Sequence, residues 1–232
     1  MATNKYIVAG CKPWSRRVFD EVLSGYPGTW YFIDQPGELI ADTVSDLSPR
    51  YIFFLHWSWK VPPGVFNNCE CICFHMTDVP YGRGGSPLQN LIMRGHRQTK
   101  LSALRMVEEF DGGPVYLKED LSLEGSAEEI FVRASSLAAK MILRIIKDQP
   151  EPQPQTEPPT IFKRREAQES RILQLSSLDS LHDFIRMLDA EGYPRAFFEY
   201  AGFHFEFSRS TLYSGKIVAD VEITPIEKEN AA

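Results

Sequence analysis

The sequence has no apolar run approaching the roughly 20 residues that a membrane helix requires. Met1–Ala9 likewise has none long enough for the core of a secretory leader. Both absences point to a cytoplasmic protein with no membrane partner. A basic excess is also missing: 25 Lys and Arg stand against 31 Asp and Glu, a formal net charge of −6. Extended contact with a polyanion needs a positive field, so nucleic acid is not an expected partner. No apolar run is followed by G-x-G-x-x-G, since Gly10 stands alone after the first one, and the dinucleotide fingerprint is excluded. Internal repeats are absent too. What is present is an ordinary globular composition, 43% hydrophobic and 24% charged. At 232 residues the chain suits one large domain or two unequal ones.

Cysteine is sparse, with only Cys11, Cys69, Cys71 and Cys73. The last three alternate with other residues, and His75 continues the alternation. On one straight strand these side chains share a face, about 7 Å between neighbours and about 20 Å end to end. A zinc ion with ligands at about 2.0–2.3 Å cannot gather them. The expected reading is a buried strand carrying small apolar thiols in a reducing compartment, with no metal.

Short apolar runs recur along the first half: Lys5–Ala9, Trp30–Ile33, Tyr51–Leu55 and Glu70–Phe74. Ser15–Leu23, with Val18, Phe19, Val22 and Leu23 at helical spacing, predicts a helix capped by Ser15. Strands alternating with helical stretches predict an α/β fold: a Rossmann-like, mostly parallel sheet with flanking helices. Ligands on such sheets bind beyond the carboxyl ends of the strands, where His56 and His75 fall. Pro87–Arg94 predicts a helix stopped by Gly95. Gln98–Glu108 and Val115–Leu123 predict two strands around a turn at Phe110–Gly113. Ser126 with Glu129 forms a capping box that opens a long helix ending near Lys147.

Composition then shifts. Asp148–Thr160 holds five prolines and little that is apolar, so helix and central strand are excluded and a linker is expected. The expected organisation is a catalytic domain over 1–147, a proline-rich linker over 148–160 and a small α+β C-terminal appendage over 161–232. In the appendage, a polar stretch from Lys163 precedes a helix near Ser180–Ala190 and short aromatic strands from Ala196 to Ile223. Glu227–Ala232 is expected to fray. The Lys163–Arg165 run reads as a solvated face, and His96 and His204 have no recognisable partners.

Gly82–Gly85 (GRGG) precedes the Pro87 helix, and its backbone amides could cradle an anion or serve as a flexible turn. The longer segment Cys73–Pro87, CFHMTDVPYGRGGSP, resembles the signature of the N10-formyltetrahydrofolate-dependent formyltransferases. His75, Pro80, Arg83, Gly84 and Pro87 fall on that pattern, with Thr77 at a position usually Ser. The family's second landmark, an Asp-x-Gly turn, is matched by Asp111-Gly112-Gly113, 36 residues after His75. The resemblance covers roughly Lys5–Lys147 and, more loosely, the C-terminal appendage. One position departs from it: Cys73 stands where the family usually has Asn, a donor to the formyl oxygen, and a thiol donates more weakly.

The resemblance implies N10-formyltetrahydrofolate as co-substrate and a primary amine as acceptor. It implies a catalytic set of His75, Asp111 and Cys73. Formyl transfer needs a proton acceptor, a proton donor and a donor to the oxyanion. A histidine can exchange protons near neutral pH, and a carboxylate can orient it and stabilise its charged form. His56, Trp57, Trp59, Glu109 and Gly112 are the expected folate-binding residues; Thr77, Arg83, Gly84 and Gly85 are the expected acceptor-binding residues. Chain length and net charge favour a nucleotide-linked 4-amino sugar as acceptor, in a surface-glycan pathway, and a homodimer is possible. The alternatives are an aminoacyl group on tRNA or another amine, and a folate-binding protein that has lost catalysis.

Overall fold

A computed structural model describes residues 3–226 of the chain, so the tail Glu227–Ala232, expected to fray, lies outside the described residues. Six strands form the main sheet: β1 (Lys5–Ala9), β2 (Thr29–Ile33), β3 (Tyr51–Phe54), β4 (Cys71–His75), β6 (Gln98–Arg105) and β7 (Val115–Ser122), in the order β2-β1-β3-β4-β6-β7. The first four are parallel; β6 runs antiparallel to β4, with His75 opposite Ser102, and β7 runs antiparallel to β6. The mostly parallel, Rossmann-like α/β sheet is therefore the observed one.

Alternation along each strand feeds two layers. Tyr6, Val8, Tyr51, Phe53 and Ile72 pack under α1 (Pro13–Val18), α4 (Pro87–Met93) and α5 (Ala127–Asp148). Ile7, Ala9, Ile52, Phe54 and Cys71 pack on the other face with Val44 of α2 (Ala41–Leu47) and Val65 of α3 (Pro63–Phe66). Both faces are covered, which is why the strands read as near-continuous apolar runs. Ser126 and Glu129 form the expected reciprocal cap on α5.

Several boundaries differ from expectation. The first helix begins at Pro13, whose fixed φ suits a first helical position. Ser15 is not its cap; the buried hydroxyl donates to the Leu55 carbonyl at 2.7 Å. A π-turn over Phe19–Leu23 completes that segment. The strand expected to reach Glu108 stops at Arg105, which frees Met106–Phe110 to form a loop.

Gly82 and its neighbours are not an open loop. Tyr81–Gly84 is a strand, β5, paired in parallel with β8 (Thr160–Phe162) from beyond the proline-rich stretch. Gly84 has φ +101, and a Cβ there would meet the Phe162 carbonyl oxygen at 2.5 Å, so only glycine suits the pairing.

The proline-rich residues before β8 exchange backbone hydrogen bonds at Gln153 with Val115. After β8 come a 3₁₀ turn (Ala167–Ser170) and α6 (Leu178–Arg186), capped by Ser177 and two residues earlier than expected. An antiparallel sheet follows, β11-β10-β9, from β9 (Ala196–Tyr200), β10 (Phe203–Tyr213) and β11 (Lys216–Pro225). Two of its strands are long rather than short. One apolar cluster runs from Tyr6 to Phe162, Phe184, Met187 and Ala196, so both halves of the chain contribute to a shared core. No helix among the described residues is long and apolar enough to cross a membrane.

Candidate active site

β4 delivers His75 to the carboxyl edge of the sheet. The residue is only 8% exposed, and Nε2 lies 2.8 Å from the Gly82 carbonyl oxygen. A carbonyl only accepts, so Nε2 carries a hydrogen and Nδ1 is the nitrogen left to exchange a proton. Nδ1 faces Asp111 Oδ2 at 3.5 Å. The Thr77 hydroxyl donates to the same Gly82 oxygen at 3.4 Å, and Ser102 Oγ donates to the Thr77 carbonyl at 2.6 Å.

Asp111 occupies the left-handed region, φ +51, which Asp tolerates better than most residues. Its Oδ2 accepts from the Gly84 N–H at 2.9 Å. The turn is held tight from behind, because a Cβ on Gly113 would overlap the Arg105 carbonyl oxygen. Arg83, 5% exposed, donates from Nη1 to Glu109 at 2.7 Å and from Nε to Gln155 Oε1 at 3.0 Å. Gln155 Nε2 in turn donates to the carbonyls of Asp111 at 2.8 Å and Gly113 at 2.7 Å. Sequence reasoning missed Gln155, since nothing local distinguishes it from the Gln and Glu residues that alternate with the prolines around it.

Cys73 is partly buried one pleat before His75. Burial, with the nearby Asp111 carboxylate, pushes its thiol up to about 12, so it stays an S–H donor. Cys71 sits in the apolar layer, and Cys69 Sγ donates to the Pro49 carbonyl at 3.3 Å. Among the described residues no group of three or more His, Cys, Asp or Glu could hold a metal ion.

The structure thus brings His75, Asp111, Thr77, Arg83, Gly84 and Glu109 together: hydrogen bonds join His75 to Thr77 through Gly82 and Asp111 to Gly84, Gln155, Arg83 and Glu109, and the 3.5 Å His75–Asp111 contact links the two sets. Gly112 is in the same turn, its N–H donating to the Glu109 carbonyl at 3.1 Å. Gly85 continues β5, its N–H donating to the Phe162 carbonyl at 3.0 Å, with Arg164 packed where a Cβ would stand.

Beyond β3, beside the switch point between β1 and β3, the structure separates the three residues: His56 packs among Trp14, Phe131 and Tyr193 in one layer, whereas Trp57 packs with Phe54 and Trp59 against the other. His56 Nδ1 accepts from Trp14 Nε1 at 3.2 Å, leaving Nε2 to donate to the Tyr193 oxygen at 2.7 Å. Burial, reinforced by Lys12, lowers its pKa to about 4, so the ring is neutral near pH 7. Trp57 packs edge-on against Trp59, and its indole N–H is buried with no partner among the described residues. Trp59 is 41% exposed, and across the sheet rim Phe110 is 72% exposed. His96 does have a partner, with Nε2 3.3 Å from the Tyr81 hydroxyl; His204 faces Glu206 at 3.2 Å.

Comparison with known proteins sharpens the picture. The family described as the C-terminal domain of methionyl-tRNA formyltransferase matches residues 167–224. A methionyl-tRNA formyltransferase from Campylobacter lari is 25% identical over 165 residues, 70% of this chain and 54% of that protein. The chain spans about half or less of the curated relatives it matches. A solved structure, methionyl-tRNA formyltransferase from Clostridium thermocellum, is 44% identical with a TM-score of 0.90, covering 96% of this chain and 99% of that one. A likely sugar N-formyltransferase from Mycobacterium tuberculosis is 14% identical with a TM-score of 0.69, covering 94% and 96%; that likeness shows the fold alone.

These findings overturn two expectations: a nucleotide-linked amino sugar as acceptor, and nucleic acid as an improbable partner. Length was a poor guide, because the Clostridium protein matches this chain almost end to end. Net charge was a poor guide because it averages the surface, whereas an acceptor meets one patch. Lys163 and Arg164 are exposed directly after β8, with Arg164 packed against Gly85.

Proposed function

The chain belongs to the formyltetrahydrofolate-dependent formyltransferase family, and from that premise we propose that it transfers a formyl group to the amine of an aminoacyl group on tRNA, the methionyl group first. The observation that carries the acceptor is the 44% identity, over 99% of its length, to a protein named methionyl-tRNA formyltransferase. The proposed donor is N10-formyltetrahydrofolate, which supplies the formyl group. The residues fit such a group: the unpartnered indole N–H of Trp57 and exposed rings of Trp59 and Phe110 offer one donor and flat apolar surface. Trp57, Trp59, Glu109 and Gly112 would hold it, with His56 anchoring the start of the Trp57–Trp59 loop through its own bonds to Trp14 and Tyr193.

His75 would take up at Nδ1 the proton shed by the amine as its nitrogen bonds to the formyl carbon; the positive ring, stabilised by Asp111, would return that proton to the donor nitrogen as its bond to the formyl carbon breaks. Nε2 stays bonded to Gly82 throughout, which keeps the ring from rotating. The Cys73 S–H is the oxyanion donor in the role usually filled by Asn. Thr77, Arg83, Gly84 and Gly85 line the acceptor side, and Lys163 and Arg164 meet nucleic-acid phosphate beside them.

The test is incubation of the full chain with N10-formyltetrahydrofolate and methionyl-tRNA, followed by mass spectrometry of the released amino acid. N-formylmethionine is expected. Formylation of uncharged amines with none on methionyl-tRNA would reject the acceptor, and no formyl transfer to any amine would reject the activity.

A further inference from the structure

We infer that Gln155, in the proline-rich stretch, is a positioning residue for the reaction: its carboxamide sets the Asp111 turn so that one carboxylate oxygen serves both His75 and Gly84. This rests on the formyl-transfer reading for its consequence in turnover, but not for its structural content.

The match of groups is complete. A carboxamide has two N–H donors and an acceptor oxygen. Two carbonyls of the turn, those of Asp111 and Gly113, lie 2.8 and 2.7 Å from Nε2, and the Arg83 Nε donor lies 3.0 Å from Oε1. The last N–H of β6 is already committed, since Arg105 N–H donates to the Pro114 carbonyl at 2.9 Å. The turn contains a left-handed Asp, a conformation that persists only where surroundings impose it. Gln155 is held in place from the other side, since its neighbour Gln153 exchanges two backbone hydrogen bonds with Val115, at 2.7 and 2.8 Å. The proline-rich stretch therefore acts as a strap that carries one carboxamide to the turn. Through Arg83 the same carboxamide also connects β5, which supplies the Gly84 N–H, to the turn that supplies its acceptor.

Gln155→Glu separates positioning from packing. It keeps the size and the acceptor for Arg83 but removes both donors and sets a negative charge against two carbonyl oxygens. Gln155→Met keeps the volume and removes all three bonds. For each full-length variant, hydrogen exchange of the Gly84 amide is measured alongside that of β1 and β3 amides. Formyl transfer to methionyl-tRNA is measured in parallel.

The expected result is exchange at Gly84 faster by about tenfold, the scale of one hydrogen bond, with β1 and β3 unchanged. In turnover, kcat falls by about 10²-fold, the scale of a 1 Å misplacement, with KM for the folate donor within about twofold of wild type. Should Gln155→Glu not fold, the Gln155→Met exchange decides alone. Unchanged Gly84 exchange in a folded variant overturns the inference, as does acceleration shared equally by β1 and β3, which marks a merely structural role. An inactive wild-type chain would reject the formyl-transfer reading instead, and the exchange comparison would still decide the role of Gln155.

Discussion

Replacing Asp111 by Asn removes one charge and almost no volume. In the structure, Oδ2 lies 3.5 Å from His75 Nδ1, with the two side chains only 9% and 14% exposed. At that separation and an effective dielectric of ~20, the attraction between a carboxylate and a protonated ring is roughly 5 kcal/mol. An amide dipole and relaxing water recover part of it, leaving ~3–4 kcal/mol lost wherever the ring becomes charged. Each 1.36 kcal/mol is tenfold in rate, so formyl transfer should slow by about 10²–10³-fold. Stability should change by less than ~1 kcal/mol, because the amide oxygen can still accept from the Gly84 N–H. Single-turnover transfer with saturating donor isolates the chemical step, and a urea melt checks the fold. A loss below about fivefold in a fully folded variant would refute the claim that Asp111 stabilises a charged His75.

Phe162→Ala should cost ~3–5 kcal/mol in denaturant melts, because the 2%-exposed ring packs edge-on to Tyr81, 5.3 Å between centroids, and under the Arg94 guanidinium. A cost under ~1 kcal/mol would mean that β8 does not anchor β5. His56 makes stability pH-dependent with a fixed sign. Its folded pKa, about 4, is below the unbound 6.5, so the unfolded chain binds more protons between them. The full contribution is present above pH ~6.5, and ~3 kcal/mol is lost as pH falls towards 4. Urea melts of wild type and His56→Phe across that window should differ in slope; equal slopes would remove the buried neutral ring from the account. Lys163→Ala with Arg164→Ala should raise KM for methionyl-tRNA and lower its log–log salt slope by about 2, leaving the folate KM unchanged. An unchanged salt slope would move the phosphate contact elsewhere.

Much of this site was readable from residues alone, for physical reasons. The buried strands β1 to β4 advertise themselves as apolar runs, and the Ser126–Glu129 cap is a local pattern that needs no tertiary partner. His75 and Asp111 are 36 residues apart yet meet because β4 and β6 are adjacent in the sheet. What stayed hidden depends on distant pairing. Tyr81–Gly84 reads as a glycine-rich loop and becomes a strand only because β8, beyond a long helix and five prolines, supplies its partner. Helices α2 and α3 are too short to show a 3.6-residue period. Gln155 has no local signature at all, because its role is set by two carbonyls and a guanidinium that the fold brings to it.

The central claim is tested most directly by one rate. Formation of N-formylmethionyl-tRNA from N10-formyltetrahydrofolate is followed under single-turnover conditions for the wild-type chain and for His75→Ala, with melting temperatures measured on the same preparations. Transfer by the wild type, reduced by about 10²–10⁴-fold in the variant at an unchanged melting temperature, is the predicted result. Equal rates in the two proteins would contradict it.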